Sequence, residues 1–167
     1  MKLALSQIIL VSLLILVGCG GGSSDSSVNA CSDGTQIPKH LVGTWAREFN
    51  RGGQKIFYEF TSGCQLIYYQ IADKGFVERD MDITLAESGY YRIYHEPFMV
   101  ISSVNETDSV MYLDNWVGQV IVQNESTKEI VFKQDKSMDI SHLSYEVDDS
   151  GQSLKLGTSD NAFYREN

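Results

Sequence analysis

The 167-residue chain carries 22 acidic and 13 basic side chains, a net charge of −9. An acidic surface repels phosphate backbones and anionic head groups, so nucleic acid is excluded as a partner. With 43% hydrophobic residues at this length, a single domain with an ordinary core is the expectation.

The chain begins Met1-Lys2, continues in a nearly unbroken apolar run from Leu3 to Val17, and reaches Gly18-Cys19. A basic start, an apolar centre and a small residue at the cut define an export signal. The run is about 15 residues, short of the roughly 20 that a membrane-spanning helix needs. Leu16-Val17-Gly18-Cys19 resembles the lipobox of bacterial lipoproteins. That resemblance implies cleavage before Cys19, a diacylglycerol on its thiol, and a fatty acid such as palmitate on the new amino terminus. Gly20 stands where that family uses Asp for inner-membrane retention, which implies an outer-membrane anchor with the domain facing the periplasm. The mature chain has lost Lys2, leaving 12 basic against 22 acidic residues and a net charge of −10. The lipid, rather than the protein surface, is then what holds the membrane.

Gly20 to Ala30 reads GGGSSDSSVNA, a composition that cannot bury enough surface to fold and spans about 18 Å root-mean-square as a flexible tether. The expected organisation is a signal over 1–18, a lipidated tether over 19–37 and a folded domain over 38–167. With Cys19 assigned to lipid, Cys31 and Cys64 remain. Outside the cytoplasm two thiols usually pair, and closing this loop of about 33 residues contributes roughly 3–4 kcal/mol in a chain-entropy treatment. A buried Cys64 beside a free Cys31, or a metal-binding pair, are the rival readings. The metal pair lacks a companion histidine pair.

From Pro38 onward, short apolar-rich runs alternate with turn residues. The predicted strands are Leu41–Phe49, Lys55–Thr61, Gln65–Ala72, Phe76–Ala86, Tyr90–His95 and Phe98–Val104. Ser109–Asp114, Val117–Gln123, Glu129–Gln134, Leu143–Asp148, Ser153–Gly157 and Ala162–Glu166 follow. No long 3.6-residue stripe occurs; Asp135–Ser141 is predicted as a single helical turn and no other helix is expected. Alternation puts Ile56, Tyr58 and Phe60 on one face, Leu143, Tyr145 and Val147 on another, and Leu154 with Leu156 opposite Lys155. Tight turns make chain neighbours antiparallel neighbours. So many short strands must hide their edges; a closed barrel does this fully and two stacked sheets do it in part.

Gly43-Thr44-Trp45 opens the first strand, and Phe163-Tyr164-Arg165 lies in the last. Together with the ending YEVDDSGQSLKLGTSDNAFYRE, these residues resemble lipocalin-like domains, in particular those of small bacterial lipoproteins. The resemblance implies an all-β, antiparallel up-and-down β-barrel of about 8–10 strands. It also implies that Trp45 lies inside the closed end, that Arg165 packs over it, and that the last strand pairs with the first. The late Thr-Asp-Tyr motif of the main lipocalin group and a C-terminal helix are not found, so no particular ligand carries over.

Little points to catalysis. His40, His95 and His142 have no partner two or four residues away, as a metal pair requires, and are expected at the surface or rim. Glu78, Asp80 and Asp82 would share one face of the fourth strand as a solvated acidic row, and Asp135 with Asp139 read the same way. No nucleophile elbow, phosphate loop or dinucleotide fingerprint occurs, so neither a cofactor, a metal nor an enzymatic reaction is expected. The expected function is binding of a small apolar or amphiphilic ligand in the barrel, with Trp45, Tyr58, Phe60, Tyr68, Tyr94 and Tyr145 as its lining. The alternative is a protein-interaction module, an envelope scaffold or an inhibitor of lysozyme. Ser88-Gly89-Tyr90-Tyr91-Arg92 approaches the Ser-Gly-x-x-Tyr loop of one inhibitor group, with Arg in place of the final Tyr.

Replacing the anchor residue, Cys19→Ser, should leave the precursor uncleaved and unlipidated. Palmitate labelling and the mass of the membrane-fraction protein read this out; a normally processed variant would refute the lipobox.

Overall fold

The computed structural model describes residues 31, 33–49 and 54–166. The expected signal, Cys19 and the tether through Ala30 lie outside the described residues. In chain order the elements are β1 (Gly43–Glu48), β2 (Lys55–Phe60), β3 (Gln65–Asp73), α1 (Lys74–Met81), β4 (Tyr90–Glu96) and β5 (Met99–Asn105). They continue as β6 (Val110–Leu113), β7 (Trp116–Asn124), β8 (Ile130–Met138), β9 (His142–Val147), β10 (Ser153–Leu156) and β11 (Ala162–Arg165).

Eight of these strands close a ring in the order β1-β2-β3-β5-β6-β9-β10-β11, every pair antiparallel. The fold is therefore an all-β antiparallel barrel, and around the ring each strand meets its chain neighbours, the up-and-down order. The other three strands, β4, β7 and β8, extend from β3 as a wing. Register explains the wing. β4 and β5 bond to the same edge of β3, with Tyr69 opposite Tyr94 and Leu66 opposite Met99. They are two halves of one strand, broken at Glu96-Pro97-Phe98, where proline has no N–H to give the ladder. β6 and β7 face β5 and β4 in the same way, and β9 and β8 face β6 and β7. Three consecutive strands are thus longer than the barrel wall, and their surplus forms the wing.

Alternation fills the interior. Trp45, Phe60, Leu66, Ile101, Met111 and Leu154 are each at most 1% exposed. The register Trp45↔Tyr58 sets the Ile56, Tyr58, Phe60 face beside Trp45, as expected. Burying side chains of this size contributes roughly 1.5–3 kcal/mol each relative to exposure.

One end is plugged. Arg165 lies opposite Trp45 across the β1–β11 pair, with its guanidinium carbon 4.2 Å from the indole centroid. The guanidinium donates to the carbonyls of Val42 (2.8 Å), His40 (2.5 Å) and Gly151 (3.1 Å). The indole N–H donates to Leu41 O at 2.8 Å, and the stack contributes on the order of 1 kcal/mol. Gly43 is glycine for a reason: its φ is +130°, and a Cβ there would lie 2.8 Å from Arg165 Nη1. Cys31 and Cys64 are disulfide-bonded, Cα atoms 5.2 Å apart across 33 residues, which removes the rival readings of the two thiols. Asp33 N and Ile101 N then bond to Ser102 O and Cys64 O, tying the entering segment to the plugged end.

Two expectations fail. Phe76–Ala86 is not a strand: α1 occupies its first half. Asp73 caps the helix by accepting from Phe76 N at 2.9 Å, Val77 is its buried residue, and Asp82 ends it in the left-handed region at φ 52°. Glu78, Asp80 and Asp82 consequently share no strand face; Glu78 accepts from Leu85 N at 2.8 Å, while Asp80 and Asp82 are exposed. Asp135–Ser141 is not a helical turn either, because β8 runs through to Met138. Its polar residues pair with β7 from Trp116 to Gln119, and the ladder overrides local propensity.

Trp45→Ala should destabilise the domain by about 3–5 kcal/mol, measured by urea denaturation. A midpoint equal to wild type would place the indole outside the core.

Candidate functional site

At the end away from Trp45, β3 continues past the barrel to carry α1 and the wing, and the inner face of the wing continues the barrel interior. Between them lies a cavity of about 300 Å³, at the small end of the range for ligand sites. β2 and β3 contribute Tyr58, Leu66, Tyr68 and Gln70. β5, β6 and β9 contribute Met99, Leu113 and Leu143. The wing and its exit contribute His95, Lys136, Met138 and Ile140. A second space of about 360 Å³ shares Gln70, His95 and Lys136 and reaches Asp80 and Met81 of α1; the two form one trough. A larger cleft of about 490 Å³ lies at the plugged end. Tyr145 and Val147 line it beside the carboxylates of Glu106, Asp148 and Asp149; these three negative charges with no cation among the lining residues make it the poorer candidate for an amphiphile.

The trough has an apolar floor with a few convergent polar groups. Gln54 Nε2 donates to Gln70 Oε1 at 2.7 Å, and Gln70 Nε2 donates to the Tyr68 hydroxyl oxygen. With its oxygen accepting, Tyr68 keeps its proton to donate elsewhere. Burial pushes the Tyr58 hydroxyl up to about 12, Tyr68 adding to the rise and the Arg47 guanidinium opposing it. Burial raises Tyr68 as well. Both therefore remain neutral donors.

His95 closes one wall. Its ring meets Tyr68 and Trp116 edge-on, centroids 5.3 and 4.8 Å apart. Nδ1 is buried and has no hydrogen-bond partner among the described residues. Burial, and after it the Lys136 ammonium, lower its pKa to about 4, so the imidazole is neutral at neutral pH. Trp116 is itself held by its N–H to Pro97 O. β7 comes close enough because residue 118 is glycine; a Cβ there would lie 2.3 Å from Glu96 O. Arg47 lies on the Trp45 face of β1, its guanidinium 4.4 and 4.9 Å from the Phe49 and Phe163 ring centroids. Its Nε is buried and has no hydrogen-bond partner among the described residues. Neither Arg47 nor Lys136 belongs to an ion pair among these residues.

Of the residues the sequence singles out, Tyr58 and Tyr68 line the cavity. Trp45 and Phe60 are wholly buried below it. Tyr145 is buried in the core and borders the plugged-end cleft together with His40. Tyr94 lies on the opposite face of β4 from Ile93 and His95, between Tyr69 and Ile121 in register, and does not line the cavity. His40 and His142 are exposed, whereas His95 turns inward. Gln70 was findable from alternation, two residues after Tyr68. Lys136 and Met138 were not, because their segment lacks apolar alternation. Among the described residues no group of three His, Cys, Asp or Glu could hold a metal ion.

No family model, curated protein or solved structure matches this chain.

The depressed His95 pKa sets a pH dependence. The unfolded chain binds the proton near the ordinary 6.5 and the folded one only near 4. The contribution is thus complete above about pH 6.5 and is lost as pH falls toward 4. Urea denaturation of wild type and His95→Gln at pH 7, 5.5 and 4 should show wild type losing more stability on acidification. Parallel losses would refute the assignment.

Proposed function

We propose that this protein is a lipid-anchored envelope protein that holds a small amphiphilic ligand at the open mouth of its barrel. The observation that carries the reading is the trough: an apolar floor beside neutral Tyr hydroxyls, an unpartnered imidazole nitrogen and the unpaired ammonium of Lys136. In this reading the ligand's apolar body rests on Leu66, Met99, Leu113 and Leu143. Its head faces Tyr68, His95 and Lys136, and Lys136 favours an anionic head over a cationic one. The lipid on Cys19 and the tether of residues 20–30 keep the domain beside the outer membrane, where amphiphiles partition. Binding, not turnover, is the proposed activity, and no cofactor is invoked.

A protein-interaction role is a second reading, favoured by the edge of β8 that is left open among the described residues. The lysozyme-inhibitor form of it gains no support from the Ser88–Arg92 segment. Tyr91 is 1% exposed and donates its hydroxyl to Glu87 O at 2.6 Å, which leaves Tyr90 as the exposed tyrosine there.

The test uses 8-anilinonaphthalene-1-sulfonate, an anionic amphiphile whose fluorescence rises in apolar surroundings. Wild type should bind it. Tyr68→Ala and the cavity-filling Leu113→Trp should each weaken binding by about tenfold, roughly 1.4 kcal/mol. Tyr164→Ala, at an exposed site, should leave it unchanged. Equal binding by folded Tyr68→Ala and Leu113→Trp would remove the trough as the site.

A further inference from the structure

β8 bonds to β7 from Trp116 to Gln123, and among the described residues nothing pairs with its other edge. The strand has nine residues, and Lys133 to Ser137 are all exposed. An open edge of about 30 Å is a template for another strand. Its charges decide which strand fits.

Two copies of one edge strand pair antiparallel about an axis normal to the sheet. Such an axis keeps each face continuous and sets one residue opposite itself. With the axis at Gln134, Lys133 lies opposite Asp135 of the partner subunit, and Asp135 opposite the partner's Lys133. Gln119 already holds Asp135 in place through a 2.8 Å hydrogen bond, and Lys133 has no ion pair among the described residues. Several neighbouring registers are opposed. An axis at Lys133, Asp135 or Lys136 sets that charge against its own copy. A register centred at Val131 would fall on the bulge that interrupts the β7–β8 ladder there. Like charges directly opposite destabilise a strand pair, so the charge order favours the Gln134 register over those three.

The same register reaches exposed apolar groups. Val117 (72% exposed) faces Ser137 within the chain. On the inner face, Phe132 of the partner subunit stands opposite Lys136, which lines the trough, so the second copy would extend its apolar rim.

We propose that β8 is the interface of a two-fold homodimer, pairing antiparallel with β8 of a second copy about Gln134 through reciprocal Lys133–Asp135 contacts. This does not depend on the ligand reading. The full chain in mild detergent, studied by sedimentation equilibrium, should be dimeric. Lys133→Asp and Asp135→Lys should each raise the dissociation constant by about tenfold or more. The double reversal Lys133→Asp/Asp135→Lys should restore it to within about threefold, because the charges again alternate correctly. Raised salt should weaken the wild-type dimer. All three variants lie at exposed positions, and unchanged melting curves confirm that they fold. A monomeric wild type would overturn the proposal. So would a monomer whose β8 amides resist hydrogen exchange, which would mean another segment covers the edge. A dimer indifferent to the single reversals, such as one formed by shared micelles, would overturn it as well.

Discussion

Ring closure is the constraint from which the other features follow. β1 bonds to β2 on one side and β11 on the other, so the first and last strands of the chain must meet. The Trp45–Arg165 stack sits on that seam, and Gly43 leaves room for the guanidinium. Once the ring closes, alternation sends every second side chain inward. The inward set at the seam end is large and apolar, and Trp45 is wholly buried within it. The disulfide and the Arg165 bonds to the entering segment complete that plug.

The site arises from a mismatch in strand length. A wall built of short strands cannot pair the whole of β4–β5, β6–β7 and β8–β9. The surplus halves pair with one another and with the upper part of β3, and α1 lies between β3 and β4 at the same end. The wing keeps the facing of the barrel, so Trp116, His95 and Met138 present the same side as Leu66 and Tyr68. Where the wall and the wing diverge, neither can fill the space alone, and the trough is what remains. The open edge of β8 has the same origin, since β10 is too short to reach beyond β9.

The electrostatics of the trough follow from burial rather than from ion pairing. Hydroxyls and an imidazole held among aromatic rings stay neutral because the charged forms lose solvation. Arg47, on the neighbouring face of β1, packs its guanidinium between the Phe49 and Phe163 rings.

The sequence by itself determined the elements whose cause is local or periodic. Alternation in KIFYEF set Tyr58 beside the core, assigning Cys19 to lipid left Cys31 and Cys64 as the expected pair, and the resemblance carried by Gly-x-Trp and a terminal Arg marked the two strands that meet. It did not reveal α1, because Phe76 to Ala86 alternates in polarity and the Asp73 cap reads as an ordinary turn. It did not reveal the end of β8 either, whose Lys-Gln-Asp-Lys-Ser run is a strand only because β7 offers a ladder. Tertiary structure alone decided that His95 is buried, since Trp116 and Tyr68 come to it from other strands, and that Tyr94 faces away. Side-chain period is written in one strand at a time; a cavity is bounded by several, and its walls are set by where long strands outrun short ones.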